Sequence, residues 1–143
     1  MPQTLPPEEQ HQGALRWRAG YDGRPGTSAA ARRFTAGFLE HVRSAAGAEV
    51  TAGTVETVQL VVSELVANVS KYAPGPCRLD LTITGDCVEV AVWDTEPALP
   101  RPRSHDALRI GQHGLEIVFA VSRHVRIVPG VGGKGVHARI ALG

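Results

Sequence analysis

The chain has 143 residues, 43% of them hydrophobic and 20% charged, with a formal net charge of +1. That length and balance fit one globular domain with one core rather than two, and the near-neutral charge argues against a nucleic-acid partner. No charged and then apolar leader opens the chain, and no apolar run approaches the roughly 18 residues needed to cross a bilayer, so the expectation is a cytoplasmic protein with no membrane-spanning segment.

Residues 1–13 (MPQTLPPEEQHQG) are rich in Pro and Gln and are expected to be disordered; the folded domain is expected over residues 14–143. Residues 14–19 (ALRWRA) alternate apolar and basic positions, the pattern of a half-buried strand. Turn chemistry follows in GYDGRPG. Thr27 or Ser28 can then cap a helix whose apolar residues Ala31, Phe34, Phe38, Leu39 and Val42 recur at helical spacing to near Gly47. A second helix is expected from Thr51 or Thr54 through Val55, Val58, Val61, Val62, Leu65 and Val69. It must stop before Pro74, because a residue preceding proline is pushed out of the α region.

CRLDLTI alternates strictly, Gly85-Asp86 supplies a turn, and CVEVAVWD returns, so residues 77–94 read as a β-hairpin. Residues 95–110 hold three prolines, three arginines and no apolar period, the composition of a long functional loop. After Gly114, LEIVFAVSRH reads as a helix; VRIVPG and GVHARIAL then form a second hairpin. The order β-α-α-β-β-α-β-β predicts an α/β two-layer sandwich, a mixed, mostly antiparallel sheet covered on one face by helices.

Two cysteines, Cys77 and Cys87, are too few for a disulfide framework and read as reduced thiols. The stretch GVGGKG at 130–135 matches a dinucleotide-binding glycine pattern, but it lies between two strands. No helix N-terminus follows to hold a pyrophosphate, so it reads as a hairpin turn.

The second helix ends in SELVANVSKYAPG, residues 63–75, where Glu64, Asn68 and Lys71 share one stripe among apolar flanks. A polar row bordered by valines and leucines reads as the mouth of a cleft. An amide oxygen from Asn68 is a hard neutral ligand suited to Mg²⁺. Glu64 can take a proton, and Lys71 can meet a phosphate as a point charge. Asp94 ends a strand in VAVWDTEP, where a carboxylate can accept a hydrogen bond from the amino group of a base. Gly111 and Gly114 in IGQHGLEIV precede a helix whose free N–H groups can hold phosphate.

These four segments, in this order, resemble the histidine-kinase-like (Bergerat-fold) ATPases. SELVANVSKYAPG is similar to the family's Asn box, VWDTEP to its adenine-recognising Asp box, GQHGLEIV to the glycine box of the phosphate lid, and GKGVHARIAL to the terminal strand pair. The resemblance covers about residues 14–143 and is nearest to the actinobacterial anti-sigma-factor serine kinases. It implies ATP and Mg²⁺ as ligands. Asn68 would bind Mg²⁺ and Glu64 would be the general base, with Lys71 on phosphate and Tyr72 lining the nucleotide pocket. Asp94 would bind the adenine amino group, and Gly111, His113 and Gly114 would shape the lid. It also implies a sigma factor or a STAS-type anti-anti-sigma protein as partner, and a homodimer. Three residues depart from the family pattern: Gln112 and His113 within the glycine box, His113 standing where a basic residue is frequent, and Glu96 two positions after Asp94, where a small residue is usual. Gln112 and Glu96 keep a second function open, a non-catalytic protein-interaction switch with weak or lost nucleotide binding.

Overall fold

The computed structural model describes residues 15–72, 75–94, 112–130 and 133–143; the expected N-terminal disorder and the 95–110 loop lie outside them. Within these residues five strands and three helices follow one another as β1 (Arg16–Tyr21), α1 (Thr27–Ala46), α2 (Ala52–Tyr72), β2 (Cys77–Thr84), β3 (Cys87–Asp94), α3 (Gln112–Val121), β4 (His124–Gly130) and β5 (Gly133–Ala141). This is the order expected from the sequence. The sheet runs β1-β2-β3-β5-β4, and each of its four neighbouring pairs is antiparallel. The three helices pack on one face, giving the two-layer sandwich.

The helix ends follow their local chemistry, with one change. α1 starts one residue after Gly26, which takes φ 97° without a side-chain cap. Thr27 therefore does not cap; its hydroxyl donates back to the Arg24 carbonyl at 2.7 Å and ties the loop to the first turn. α1 stops at Gly47, φ 64°, the left-handed cap for which glycine carries no Cβ penalty. At the start of α2 the Thr51 hydroxyl accepts from the Thr54 N–H at 3.1 Å, an N-cap at the first of the two expected starts. The helix ends at Tyr72, short of Pro74.

The core lies between the layers. Phe38, Leu39 and Val42 of α1 and Val58, Val61, Val62 and Leu65 of α2 are fully buried against Leu79, Leu81, Val88, Val90 and Val92 of the sheet. Burying a Leu or Val side chain stabilises by about 1.5–3 kcal/mol, so this face of α2 is what holds its C-terminal end in register. At the outer seam Gln59 donates to the Arg32 carbonyl at 3.0 Å and Arg32 donates to the Ser63 hydroxyl at 2.9 Å, pinning α1 to α2.

The face away from the helices is polar. Strand register aligns Arg18, Asp80, Ala91, His137 and Arg126 in one row across all five strands. A second row holds Arg16, Thr82, Glu89, Arg139 and His124. Asp80 is buried, with 5% side-chain exposure, and three arginines converge on it. Arg18 Nε donates to it at 3.0 Å, Arg78 Nε stands at 3.2 Å, and Arg16 Nη2 at 3.7 Å. Trp93 lies over β5 at Gly135, where a Cβ would come within 2.7 Å of the indole, so only glycine admits the ring. Arg78 stacks on that indole at 5.4 Å and His137 meets it edge-on at 5.1 Å.

Candidate functional site

One end of the sandwich gathers the predicted residues that the structure describes. α2 places Glu64 and Asn68 one turn apart, both half-buried, at the rim of its apolar face. The same end of the sheet is formed by the last residue of β3, Asp94, and the first of β5, Gly133. Asp94 is half-buried at the end of β3, with its carboxylate set against Gly133. α2 packs against both β3 and β5, which sets the amide of Asn68 on one layer and the carboxylate of Asp94 on the other.

Asn68 carries the most informative atom. Its Oδ1 is fully buried and accepts no hydrogen bond from the described residues. A buried acceptor without a donor costs about 1–3 kcal/mol, so the atom calls for a partner such as an ordered water, an ion or a ligand group. An amide oxygen held in this way fits a hard cation such as Mg²⁺, which takes oxygen ligands and keeps several waters. Among the described residues no group of three His, Cys, Asp or Glu could hold a metal by itself.

Lys71 and Tyr72 belong by backbone to the last turn of α2, and their side chains lie outside the described residues. Gly111 also lies outside them. The third helix begins at Gln112, earlier than the sequence suggested. Gly114 therefore sits in its first turn rather than before it. His113 and Gly114 thus contribute backbone N–H groups to the helix start, where the first four donors have no intrahelical partner. The side chain of His113 lies outside the described residues.

Two glycines missed by sequence reasoning shape this end. A Cβ on Gly133 would stand 2.5 Å from the Asp94 carbonyl oxygen and closer still to its carboxylate. Gly133 is thus the floor on which Asp94 rests. GVGGKG is glycine-rich, but nothing within it shows which glycine must face Asp94, 39 positions earlier in the chain. Gly23, φ 80°, presses on the backbone of Gly75 just beyond α2, so the β1–α1 loop braces the end of the Asn68 helix.

Tyr21 and Cys77, cross-strand partners at the same end of the sheet, are buried together. Burial pushes the Tyr21 phenol up to about 12, and the Cys77 thiol beside it adds to the shift. Burial likewise pushes Cys77 up to about 11, with a smaller contribution from Asp22. Both stay protonated at neutral pH, and the Cys77 thiol is no nucleophile there. Both cysteines are free and buried, as expected of reduced thiols.

A family model described as a histidine kinase-like ATPase domain matches residues 23–140. The chain belongs to that family. The match takes in both glycine braces, the Asn68 helix, Asp94 and the Gly133 floor. It assigns the chain an ATP-binding domain on the α/β sandwich described above. No curated protein matches the chain. Among the described residues, no helix of this ATPase domain is long and apolar enough to cross a membrane.

Proposed function

We propose that this ATPase domain is an ATP-binding regulator of the anti-sigma-factor serine/threonine kinase type, binding Mg-ATP in the cleft between the C-terminal end of α2 and the ends of β3 and β5. The observation that carries the reading is the buried, unpartnered Oδ1 of Asn68, an acceptor that the described residues leave unsatisfied. Bound Mg²⁺ would neutralise phosphate charge and take its other ligands from phosphate and water.

The residues of the chain then have separate tasks. Asn68 holds the cation, and Lys71, one turn further on, meets a phosphate oxygen. Asp94, seated on Gly133, accepts a hydrogen bond from the adenine amino group, and Tyr72 lines the pocket. Gly111, His113 and Gly114 bring backbone N–H donors of the helix start toward the phosphates. Glu64, one turn before Asn68, takes the proton from the hydroxyl of a partner serine or threonine. In that transfer the hydroxyl oxygen bonds to the γ-phosphorus, the bond from that phosphorus to the β-phosphate oxygen breaks, and ADP leaves. Most of the catalysis in such a step is positioning and charge stabilisation. The partner phosphorylated would be a STAS-type anti-anti-sigma protein, and the partner held would be a sigma factor.

Calorimetric titration with Mg-ATP tests the reading. Binding that weakens sharply in Asn68→Ala supports it, and absence of heat at millimolar nucleotide refutes it. Glu64→Ala then separates roles: phosphate transfer to a partner stops while ATP still binds. The carboxylate of Glu96, two residues after Asp94, favours the second reading, a switch acting by protein contact alone, which a null titration would select.

A further inference from the structure

The far end of the sheet, away from the proposed nucleotide cleft, has features the ATP reading does not use. Cys87 opens β3 and Asp94 closes it. At about 3.3 Å per residue the two ends stand roughly 23 Å apart. An open cleft of about 500 Å³ lies there, and its walls carry Arg123, His124, Arg126 and Arg139 against the one carboxylate of Asp86. Two of these cations have loose partners: Arg123 meets Asp86 at 3.3 Å and Arg139 meets Glu89 at 3.3 Å. Such exposed pairs contribute about 0–1 kcal/mol and are readily exchanged. Arg126 has no carboxylate within ion-pair distance among the described residues. Asp80 does not serve it. Three strand spacings, roughly 14 Å, separate them, beyond the screening length of about 8 Å at physiological salt, and three nearer arginines already occupy Asp80.

The cleft borders β4, which is an edge of the sheet among the described residues. An edge strand presents backbone N–H and C=O groups that pair with an added strand. The two faces of β4 differ. His124 and Arg126 lie on the open face with the cleft. Ile127 lies on the helical face and is 42% exposed, and Phe119 of the neighbouring α3 is 58% exposed. Pro129 has no N–H, so the free ladder is limited to residues 124–128.

From this we infer that the outer edge of β4 docks an extended, acidic segment of a partner protein. Its carboxylates, at alternate positions, face Arg126 and His124, and its intervening apolar residues cover Ile127. Strand addition makes both demands at once, because successive side chains of the added strand fall on opposite faces. Pairing with the β4 of a second copy does not meet them: HVRIVPG offers cations where carboxylates are needed.

The test uses the full chain and a fluorescein-labelled peptide of alternating Glu and Val. Anisotropy should show binding that weakens with salt, and that falls about tenfold in Arg126→Glu while Mg-ATP affinity is unchanged. Amide exchange in the wild-type chain should slow at residues 124–128 when the peptide is added. Three controls run beside it: a Lys-Val peptide, pyrophosphate, and a DNA duplex. No binding at millimolar peptide, equal binding by the Lys-Val peptide, or binding indifferent to Arg126→Glu overturns the proposal. So does peptide binding without protection of 124–128, since that is a simple anion site. Tighter binding by pyrophosphate or duplex, or wild-type self-association that Arg126→Glu abolishes, also overturns it. If Arg126→Glu unfolds, the salt dependence and amide protection of the wild-type chain decide.

Discussion

Replacing Asn68 with leucine separates what the residue does for the fold from what it does for a ligand. Its Oδ1 is buried with no donor among the described residues, so in the ligand-free protein it is a cost. Removing an unsatisfied acceptor returns about 1–2 kcal/mol, the lower part of the usual range because the residue is only half-buried. Leucine has nearly the same reach, extends the apolar face of Val61, Leu65 and Val69, and favours helix over asparagine by a few tenths of a kcal/mol. For 143 residues, an unfolding entropy of roughly 2.1 cal/mol/K per residue sums to about 0.3 kcal/mol/K. The ligand-free Asn68→Leu protein should therefore melt about 3–7 °C higher than wild type. Its magnesium-dependent ATP affinity should fall by tenfold or more, the loss expected for a charge-assisted contact. Calorimetric melting without nucleotide, then titration with and without Mg²⁺, measures both. A lower melting temperature would mean that the amide oxygen is satisfied in the free protein. Unchanged Mg-ATP affinity would remove Asn68 from the site. Either outcome refutes the reasoning.

Three other perturbations follow from particular contacts. In Gly133→Ala the new Cβ must move about 0.9 Å from its 2.5 Å approach to the Asp94 carbonyl to reach an ordinary 3.4 Å contact. The expected cost is about 1–3 kcal/mol of stability, read by urea unfolding. ATP affinity should fall to the level of Asp94→Asn, and unaltered affinity would detach Asp94 from adenine. Asp80→Ala leaves Arg16, Arg18 and Arg78 without their common anion. Because those arginines are themselves about one-third exposed, the loss should be about 2–3 kcal/mol, below the range for a fully buried pair. A change under about 0.5 kcal/mol would show the cluster to be no more than a surface pair. Stability should also fall in alkali. Tyr21 and Cys77 are held protonated up to about 12 and about 11 in the fold. Their contribution is complete below their ordinary values of 10.0 and 9.0 and is lost as pH rises through the folded ones. Urea midpoints at pH 8, 10 and 11 follow the loss, which Tyr21→Phe should reduce. At the acid side, burial holds His137 below its ordinary value. Its contribution is present above that value and is lost as pH falls beneath it.

Much of the fold was legible because its signals are local. The period of 2 in CRLDLTI and CVEVAVWD and the helical spacing of Val58, Val61, Val62 and Leu65 depend only on which face each residue shows to the core. Thr51 or Thr54 could be named as the start of α2 because a helix start is set within a few residues, whereas the cap expected at Thr27 or Ser28 gave way to Gly26. Asn68 was legible because a lone amide among valines is out of place on a buried helix. Tertiary structure decided what depends on distant neighbours. No local signal marks Gly133 as the floor beneath Asp94, since the clash that requires glycine comes from 39 positions earlier in the chain, 94 against 133. Nor does the sequence show that Arg16, Arg18 and Arg78 share Asp80, which strand register alone brings together. The near-zero net charge of the chain likewise hid the basic edge of the sheet. Charge is summed along a sequence, but a partner meets it face by face, and pairing β4 beside β5 gathered Arg126, Arg139 and His124 onto one side.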